Sequence, residues 1–374
     1  MELKDYLKNN KVLSILNDNG FEAYFVGGVV RDYIMNRPSA DFDITTNATP
    51  QEVKSLFENT FDTGIKHGTV TIKHDGHLYE VTTYRQDAKY LNYRHPSSVK
   101  YVGELRKDLN RRDFTINAIA LDKELTIQDF HHGMEDIEKG IIRTVGNAEK
   151  RFKEDALRML RAIRISTQLG FDIEEKTLQA IYQNSHLINH ISKERIYSEF
   201  KKALMGDHLK NIVHLTCFDD FKNFNFNDIP EEKDFVLRLT AVIKDLPSLE
   251  KLITLKAEKN VINEVMILKN HIDDKDLDDR YQLKKLISII GKENAKKILI
   301  LKKLPFYLYE SILESHECLT LGELVITGKD LISQSIVSEG REVGIMLNRL
   351  LDEVLRNPSL NNYEDLITLS KSFR

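Results

Sequence analysis

The hydrophobic pattern of this chain changes in kind near residue 146, and this change limits the possible folds more than any other feature. Before it, short β-branched runs alternate with helical segments, and an Asp75-Gly76 turn separates two of the runs as in a hairpin. After it, apolar residues recur with the 3.6-residue period of helices. We therefore predict an α/β N-terminal part, with a small mixed sheet and helices, followed by an all-α remainder. The predicted strands cover 22–26, 42–45, 68–73, 79–84, 115–120 and 141–145.

The helical remainder is predicted to form three segments, so that the chain has four parts: 1–146, 147–206, 207–290 and 291–374. The polar stretch 219–232 interrupts the helical pattern and indicates a loop between helical units. An α/β part followed by helices is typical of a catalytic module with a binding arm. The predicted helices cover 154–169, 193–205, 235–242, 249–255, 281–290, 295–300, 307–315 and 345–355.

Charge and cysteine content exclude several classes of protein. The net charge of −4 means that a polyanionic partner must be bound by local basic patches rather than by the whole surface. The two cysteines, Cys217 and Cys318, lie far apart and exclude a disulfide framework. No apolar stretch approaches the ~20 residues of a membrane span, and residues 1–10 lack the apolar core of a signal peptide. We therefore expect a cytoplasmic protein without a membrane partner.

A first candidate site follows the strand predicted at 22–26. Gly27 and Gly28 precede a predicted helix, where a phosphate can approach the backbone, and Arg31 adds a charged donor one turn later. Asp41 and Asp43 lie two apart in a β-type segment, so both side chains point to the same face. Two converging carboxylates suit Mg²⁺ beside a nucleotide triphosphate.

Glu80 is the candidate for a third acidic group, because it lies inside the strand predicted at 79–84, where a charge is otherwise costly. A neighbouring strand that carries Asp41 and Asp43 would favour a role in the site. The alternative is an exposed glutamate on an edge strand.

A second candidate group is the sequence Arg-Arg-Asp at 111–113, which runs directly into an apolar segment. The guanidinium of Arg112 suits bidentate binding of phosphate, and the carboxylate of Asp113 can accept a hydrogen bond from a ribose hydroxyl. The alternative is that these charges form an ordinary solvated face.

A third candidate group lies in the helix predicted at 154–169. Asp155 and Arg158 are three apart and are predicted to share one helix face, which Arg161 and Arg164 continue. A carboxylate beside a guanidinium can meet the Watson–Crick edge of cytosine or adenine, since each base presents an amino group beside an acceptor nitrogen. The alternative is a surface ion pair worth about 0.3–0.5 kcal/mol.

Taken together and in this order, these motifs resemble those of the bacterial class II tRNA nucleotidyltransferases, the CCA-adding enzymes of the polymerase β-like nucleotidyltransferase superfamily. The resemblance covers roughly residues 20–205. It implies a nucleotidyltransferase head at 1–146, a neck with a base-selecting helix at 147–206, a body at 207–290 and a tRNA-binding tail at 291–374.

The resemblance also implies roles for single residues. The glycine pair and Arg31 would bind the phosphates, Asp41 and Asp43 the metal ions, and Asp155 with Arg158 would serve as a protein template for the base. Residues 85–99 correspond to the flexible loop associated with the switch from C to A addition. A departure occurs at 130–133, where Phe-His-His-Gly replaces the Phe-Gly-Gly of many relatives. The residues implied in nucleotide binding are Gly27, Gly28, Arg31, Arg112, Asp113, Asp155, Arg158, Arg161 and Arg164.

The implied reaction is attack by the 3′-hydroxyl of tRNA on the α-phosphorus of CTP or ATP, with Mg²⁺ as cofactor and pyrophosphate as the leaving group. The protein would act as a monomer or a homodimer. Two alternatives stay open within the superfamily: an A-adding tRNA nucleotidyltransferase and a poly(A) polymerase. A third alternative is a catalytically silent RNA-binding protein that keeps the α/β head as a scaffold.

Overall fold

The computed structural model describes residues 3–39, 41–65, 68–87, 90–91, 95–96 and 99–373. The chain forms two compact units. The first unit contains 1–227 and 243–257, and the second contains 228–242 and 258–374. The finer division into head, neck, body and tail stays a prediction.

The thirteen strands of the described residues all belong to the first unit. Twelve of them come before residue 146, as expected from the change in pattern. The two-residue strand Asp172–Ile173 comes after it and departs from the all-α prediction, because it pairs with Ile141–Ile142. The predicted run 115–120 is shorter as a strand, because Thr115–Asn117 forms a 3₁₀ turn ahead of it. The strands are β1 (Ala23–Val26), β2 (Phe42–Thr46), β3 (Thr60–Gly64), β4 (Thr69–His74), β5 (His77–Thr83), β6 (Arg85–Asp87), β7 (Tyr90–Leu91), β8 (His95–Pro96), β9 (Val99–Tyr101), β10 (Ile119–Leu121), β11 (Ile127–Asp129), β12 (Ile141–Ile142) and β13 (Asp172–Ile173).

Helices make up most of the chain after β12. The helices are α1 (Leu3–Lys8), α2 (Lys11–Asp18), α3 (Gly28–Ile34), α4 (Pro50–Leu56), α5 (Leu105–Leu109), α6 (Gly133–Lys139), α7 (Ala148–Glu154), α8 (Leu157–Leu169), α9 (Glu175–Asn184), α10 (Lys193–Leu204), α11 (Phe235–Val242), α12 (Leu246–Thr254), α13 (Lys259–His271), α14 (Arg280–Ile290), α15 (Lys292–Leu301), α16 (Tyr307–Glu314), α17 (Gly328–Ser333), α18 (Arg341–Arg356) and α19 (Tyr363–Ser372). No helix of the described residues is long and apolar enough to cross a membrane.

The main sheet has seven strands in the order β11-β10-β1-β2-β5-β4-β3. It is mixed, as predicted, because β2 and β5 run parallel whereas the other neighbours are antiparallel. Asp75 and Gly76 close the β4–β5 hairpin, and both have the positive φ angles that a two-residue hairpin turn favours. The core beneath this sheet contains Phe25, Ile44 and Val81, all at most 1% exposed.

One predicted helix is interrupted. The periodicity favoured a continuous helix over 154–169, but α7 ends at Glu154 and α8 begins at Leu157. Asp155 has an extended backbone (φ −139°, ψ 105°), and its carboxylate accepts the backbone N–H of Leu157 at 3.1 Å. Aspartate competes with the helix for backbone donors in this way, so that it favours helix ends over helix interiors. The prediction that Asp155 and Arg158 share one helix face was therefore wrong.

The segment predicted as a flexible loop, 85–99, lies partly outside the described residues. Its described parts form two short antiparallel ladders, β6 with β9 and β7 with β8. The ladder of β6 and β9 joins the two ends of the segment.

The second unit is helical throughout its described residues, as predicted, and consists of α11, α13 to α19 and two 3₁₀ turns. Its core is built from aliphatic side chains of several helices, such as Leu283 on α14, Ile298 on α15 and Leu350 on α18, all at most 1% exposed. Helix α18 begins four residues before the predicted start at 345, because Gly340 with its φ of +119° precedes the helix at Arg341.

Candidate active site

Two of the three acidic residues predicted for the site, Asp43 and Glu80, lie on neighbouring parallel strands. Asp43 on β2 is the register partner of Glu80 on β5, so their side chains project from the same face of the sheet. Asp41 precedes β2 by one residue. This pairing favours a role for Glu80 in the site, since β5 lies between β2 and β4 and is not an edge strand, and the side chain of Glu80 is exposed.

Asp43 carries a perturbed carboxyl group. Burial raises its pKa to about 6, the carboxylates of Glu80 and Asp41 act in the same direction, and Arg112 and Arg161 oppose them. Among the described residues, no three His, Cys, Asp or Glu side chains stand in an arrangement that could hold a metal ion by themselves. Asp41 and Asp43 nevertheless fit Mg²⁺, which is usually bound by one or two carboxylates together with substrate phosphates. A divalent cation would also offset the repulsion that raises the pKa of Asp43.

Gly27 packs directly against this carboxylate. Its φ of +76° lies in the left-handed region, and a Cβ there would meet Oδ2 of Asp43 at 3.0 Å and Nη1 of Arg112 at 3.5 Å. The close approach follows from strand pairing, because Val26 of β1 is the register partner of Asp43. A side chain at Gly27 would both strain the backbone and displace one of these two charged groups.

Arg31 is held in a fixed orientation beside the glycine pair. Its Nε and Nη2 donate to Oδ1 of Asp32 at 3.2 and 2.9 Å, and its Nη1 donates to Oδ1 of Asn117 at 2.8 Å. A Cβ on Gly28 would lie 3.5 Å from Nη2, which shows how near the guanidinium is to the backbone. The sequence prediction named neither Asp32 nor Asn117, although both lie within the motifs that it used.

Arg112 is oriented by an acid that the sequence analysis missed. Asp108 on α5 is fully buried and pairs with Arg111 at 2.8 Å and with Arg112 at 3.6 Å. Burial opposes the ionisation of Asp108, but the two guanidinium groups outweigh it and hold its pKa below the usual value. The (i, i+3) and (i, i+4) spacing of Asp108 to the two arginines was the available signal.

Asp113 is fully engaged by donors of the protein. Its Oδ1 accepts the backbone N–H of Phe114 at 2.9 Å and the amide of Asn117 at 3.4 Å, and its Oδ2 accepts Nε and Nη2 of Arg161 at 2.8 and 2.6 Å. Burial opposes its ionisation, but Arg161 and Arg158 keep its pKa well below the usual range. A ribose hydroxyl can therefore reach this carboxylate only if Arg161 gives up part of its contact.

Asp155 and Arg158 are not paired with each other. Arg158 is 8% exposed and donates to Oε2 of Glu154 at 2.9 Å and to the carbonyls of Arg151 and Arg111 at 3.2 and 2.9 Å. Oδ2 of Asp155 lies 3.8 Å from Nη2 of Arg195. These contacts account for three of the five N–H groups of Arg158.

Arg161 and Arg164 continue from Arg158 along one face of α8, as predicted. Nε of Arg164 lies 2.8 Å from Oε2 of Glu199 on α10. Burial and the charges of Arg161 and Arg31 lower the pKa of Arg164, although Glu199 opposes them. Contacts join the three candidate groups: Arg161 donates to Asp113 at 2.8 and 2.6 Å, and Arg31 donates to Asn117, which follows the Arg-Arg-Asp sequence, at 2.8 Å.

The comparison with protein families finds two matching models. Residues 23–143 match the poly A polymerase head domain, and residues 170–217 match the model described as the probable RNA and SrmB-binding site of polymerase A. The first match contains Asp41, Asp43, Glu80, Arg112 and Asp113.

Relatives match along almost the whole chain. The CCA-adding enzyme of Pediococcus pentosaceus is 37% identical over 93% of this chain and 94% of its own length. That of Staphylococcus haemolyticus is 37% identical over 95% of each. The crystal structure of the Bacillus stearothermophilus CCA-adding enzyme in complex with CTP superposes with a TM-score of 0.83 at 32% identity, covering 98% of both chains. This chain thus belongs to the CCA-adding enzymes, a family of metal-dependent tRNA nucleotidyltransferases.

Proposed function

We propose that this protein adds C, C and A in turn to the 3′ end of tRNA, from CTP and ATP and without a nucleic-acid template. One observation carries the proposal: the carboxylates of Asp43 and Glu80 lie side by side on β2 and β5, next to the backbone of Gly27 and the guanidinium of Arg112. An acidic pair beside cationic donors and an open glycine backbone suits a metal-bound triphosphate. The match with CCA-adding enzymes over 93% of the chain supports the same activity.

In this proposal Asp41 and Asp43 hold Mg²⁺, while Arg31 and Arg112 bind the phosphates of the nucleotide. A bound Mg²⁺ would neutralise charge on the triphosphate and lower the pKa of the attacking hydroxyl. The 3′-hydroxyl of tRNA attacks the α-phosphorus, and pyrophosphate leaves. Arg31 enters the reaction already oriented by Asp32 and Asn117, so little reorganisation is needed when the phosphates bind.

Base selection is assigned to Asp155 and Arg158. The carboxylate of Asp155 has its nearest cation, Arg195, at 3.8 Å, which leaves acceptor capacity for the amino group of a base. Arg158 is anchored by Glu154 and by two backbone carbonyls, and its remaining N–H groups supply the donor for a ring nitrogen. Cytosine and adenine both match this pair, whereas uracil and guanine present the opposite pattern at the same edge.

The partner in this proposal is tRNA, which is recognised by its shape and its phosphate backbone rather than by its sequence. The helical segment that matches the RNA-binding family model, 170–217, supports an RNA contact next to the catalytic head. A location in the cytoplasm and a monomeric or homodimeric state stay predictions of the sequence.

A test uses three tRNA transcripts that end before CCA, after C and after CC, each incubated with CTP, ATP and Mg²⁺. We expect the three transcripts to gain three, two and one nucleotides and then to stop, as read on a sequencing gel. Extension of the CC-ended transcript alone would identify an A-adding enzyme. Unlimited addition of A would identify a poly(A) polymerase, and tRNA binding without incorporation would identify a silent RNA-binding protein.

A second test addresses the template. Asp155→Ala removes the acceptor of the base-pairing edge, and we expect the ratio of kcat/KM for CTP over UTP to fall about tenfold or more, since a good base contact is worth about 1–3 kcal/mol. The control is Glu149→Ala on α7, which removes an exposed ion pair with Lys153 and leaves this ratio unchanged. A ratio that stays at the wild-type value in Asp155→Ala would refute the template assignment.

A further inference from the structure

Asn117 lies between the two groups that are assigned to the phosphates and to the ribose. Its side-chain oxygen accepts Nη1 of Arg31 at 2.8 Å, and its amide nitrogen donates to Oδ1 of Asp113 at 3.4 Å. Asn117 and Asp113 are four residues apart, whereas Arg31 lies 86 residues before Asn117. A single buried side chain therefore connects α3 with the Arg-Arg-Asp segment.

The orientation of this amide follows from the charges of its partners. A guanidinium can only donate hydrogen bonds, and an ionised carboxylate can only accept them. Asp113 is ionised because Arg161 and Arg158 hold its pKa well below the usual range. The oxygen of Asn117 must therefore face Arg31, and the nitrogen must face Asp113.

The backbone holds Asn117 in place. It ends the 3₁₀ turn Thr115–Asn117, its backbone N–H donates to the carbonyl of Phe114 at 3.0 Å, and β10 follows two residues later. Its side chain is 7% exposed, so the amide has little access to water. Leaving either neighbour without this partner would cost more than the loss of an exposed hydrogen bond.

Arg31 is held on both sides. Asp32 accepts Nε and one N–H of Nη2, and Asn117 accepts one N–H of Nη1. One N–H on each terminal nitrogen stays available, and the two point in directions that the clamped plane of the guanidinium fixes. Without Asn117, Asp32 would be the remaining one of these two acceptors, and the guanidinium plane of Arg31 could rotate.

We propose that Asn117 is a positioning residue. Its hydrogen bonds to Arg31 and Asp113 fix the position of the side chain that binds the triphosphate relative to the side chain that binds the ribose of the incoming nucleotide. The inference rests on the proposed function. It adds that phosphate binding and the choice of ribonucleotides are coupled through one amide. Asn117 itself need not touch the nucleotide.

The test compares two substitutions at this position in the full-length protein, with tRNA and Mg²⁺ present. Asn117→Ala removes both contacts, and we expect KM for CTP and for ATP to rise together by about tenfold, because a hydrogen bond to a charged group is worth roughly 1.5–3 kcal/mol. Asn117→Asp keeps an acceptor for Arg31 but places a second carboxylate against Asp113. We expect KM to return to within about threefold of wild type, while the ratio of kcat/KM for CTP over dCTP falls about tenfold.

The control is Thr240→Ala. Thr240 is 0% exposed, and its hydroxyl donates to the carbonyl of Val236 within α11, so its removal deletes a buried hydrogen bond outside the candidate site. We expect a lower Tm in both alanine variants but an unchanged KM in Thr240→Ala. If Asn117→Ala also lowers only Tm, or if Asn117→Asp does not restore KM, the inference is wrong although the proposed function stands. If wild-type protein incorporates no nucleotide, the proposed function fails instead.

Discussion

The two units bury different kinds of side chains. Around the candidate active site, the first unit buries ionised groups in pairs, such as Asp108 with Arg111 and Glu199 with Arg164. The core of the second unit consists mainly of leucine and isoleucine, with Leu350 and Ile312 at 0% exposure. The second unit also contains a pair with little exposure, Lys284 with Glu317 at 2.7 Å, whose side chains are 3% and 17% exposed.

The difference indicates that the first unit contains buried charges that lower its stability, whereas the core of the second unit contributes mainly to stability. Burying a charge costs free energy of desolvation that its partner only partly returns, so a buried ion pair is weak support for a fold. An apolar core has no such cost. In the proposed function these charges are needed in the first unit, because the triphosphate is bound by oriented cations and the metal ion by carboxylates. Substitutions in the two regions should therefore differ in what they change, activity or stability.

The largest expected effect is on activity, and it comes with a gain in stability. Asp43→Asn should reduce nucleotide incorporation at least about a thousandfold, which corresponds to about 4 kcal/mol. It should stabilise the metal-free protein, because raising the pKa of Asp43 from 3.8 to about 6 corresponds to about 3 kcal/mol at 1.36 kcal/mol per pKa unit. Single-turnover incorporation and thermal unfolding without metal measure the two effects.

The control for this prediction is Asp62→Asn, which removes an exposed ion pair with Lys54. It should change neither incorporation nor stability by a measurable amount. Wild-type incorporation in Asp43→Asn would remove Asp43 from the metal site, and a destabilised Asp43→Asn would contradict the argument that its charge opposes folding.

Breaking a buried pair of the first unit should mainly affect stability. Asp108→Asn leaves Arg111 and Arg112 without their fully buried carboxylate, and we expect the free energy of unfolding to fall by about 3–5 kcal/mol. Nucleotide affinity should fall as well, since Arg112 loses its orientation. Urea denaturation and CTP binding check the two parts. A loss below 1 kcal/mol would show that water reaches this pair.

A substitution in the apolar core of the second unit should lower stability and leave nucleotide affinity unchanged. Leu350→Ala should lower the free energy of unfolding by about 3 kcal/mol, because a fully buried leucine leaves a cavity. The KM for CTP should stay at the wild-type value, since the residues assigned to the nucleotide all lie in the first unit. A raised KM for CTP in this variant would contradict the comparison, because it would show that the core of the second unit also affects nucleotide binding.

The smallest expected effect is a shift with pH. Incorporation at limiting Mg²⁺ should fall about tenfold per pH unit below 6, as Asp43 takes up a proton, and excess Mg²⁺ should move this midpoint to lower pH. The stability of the metal-free protein should change with pH in the opposite direction. The raised pKa of Asp43 contributes to the free energy of unfolding below pH 3.8, and this contribution is lost as the pH rises through about 6. A midpoint that does not depend on Mg²⁺ would contradict the assignment.

Much of the fold and of the site could be predicted from local patterns. The hairpin at Asp75-Gly76 and the helical character of the second unit follow from turn residues and hydrophobic period, which depend on neighbours in the chain. The two-residue spacing of Asp41 and Asp43 predicted one face for both, but Asp41 lies outside β2, so this stays a prediction. A local pattern failed at Asp155, because the capping contact of its side chain competes with the apolar period that predicted a continuous helix.

The sequence by itself determined the order of an α/β region before a helical one, the two-residue spacing of Asp41 and Asp43, and the family. Only the tertiary structure decided that Asp43 faces Glu80 and that Asn117 joins Arg31 to the Arg-Arg-Asp segment. The reason is physical: these contacts join residues up to 86 positions apart, and they form only where strand pairing and helix packing bring the side chains together.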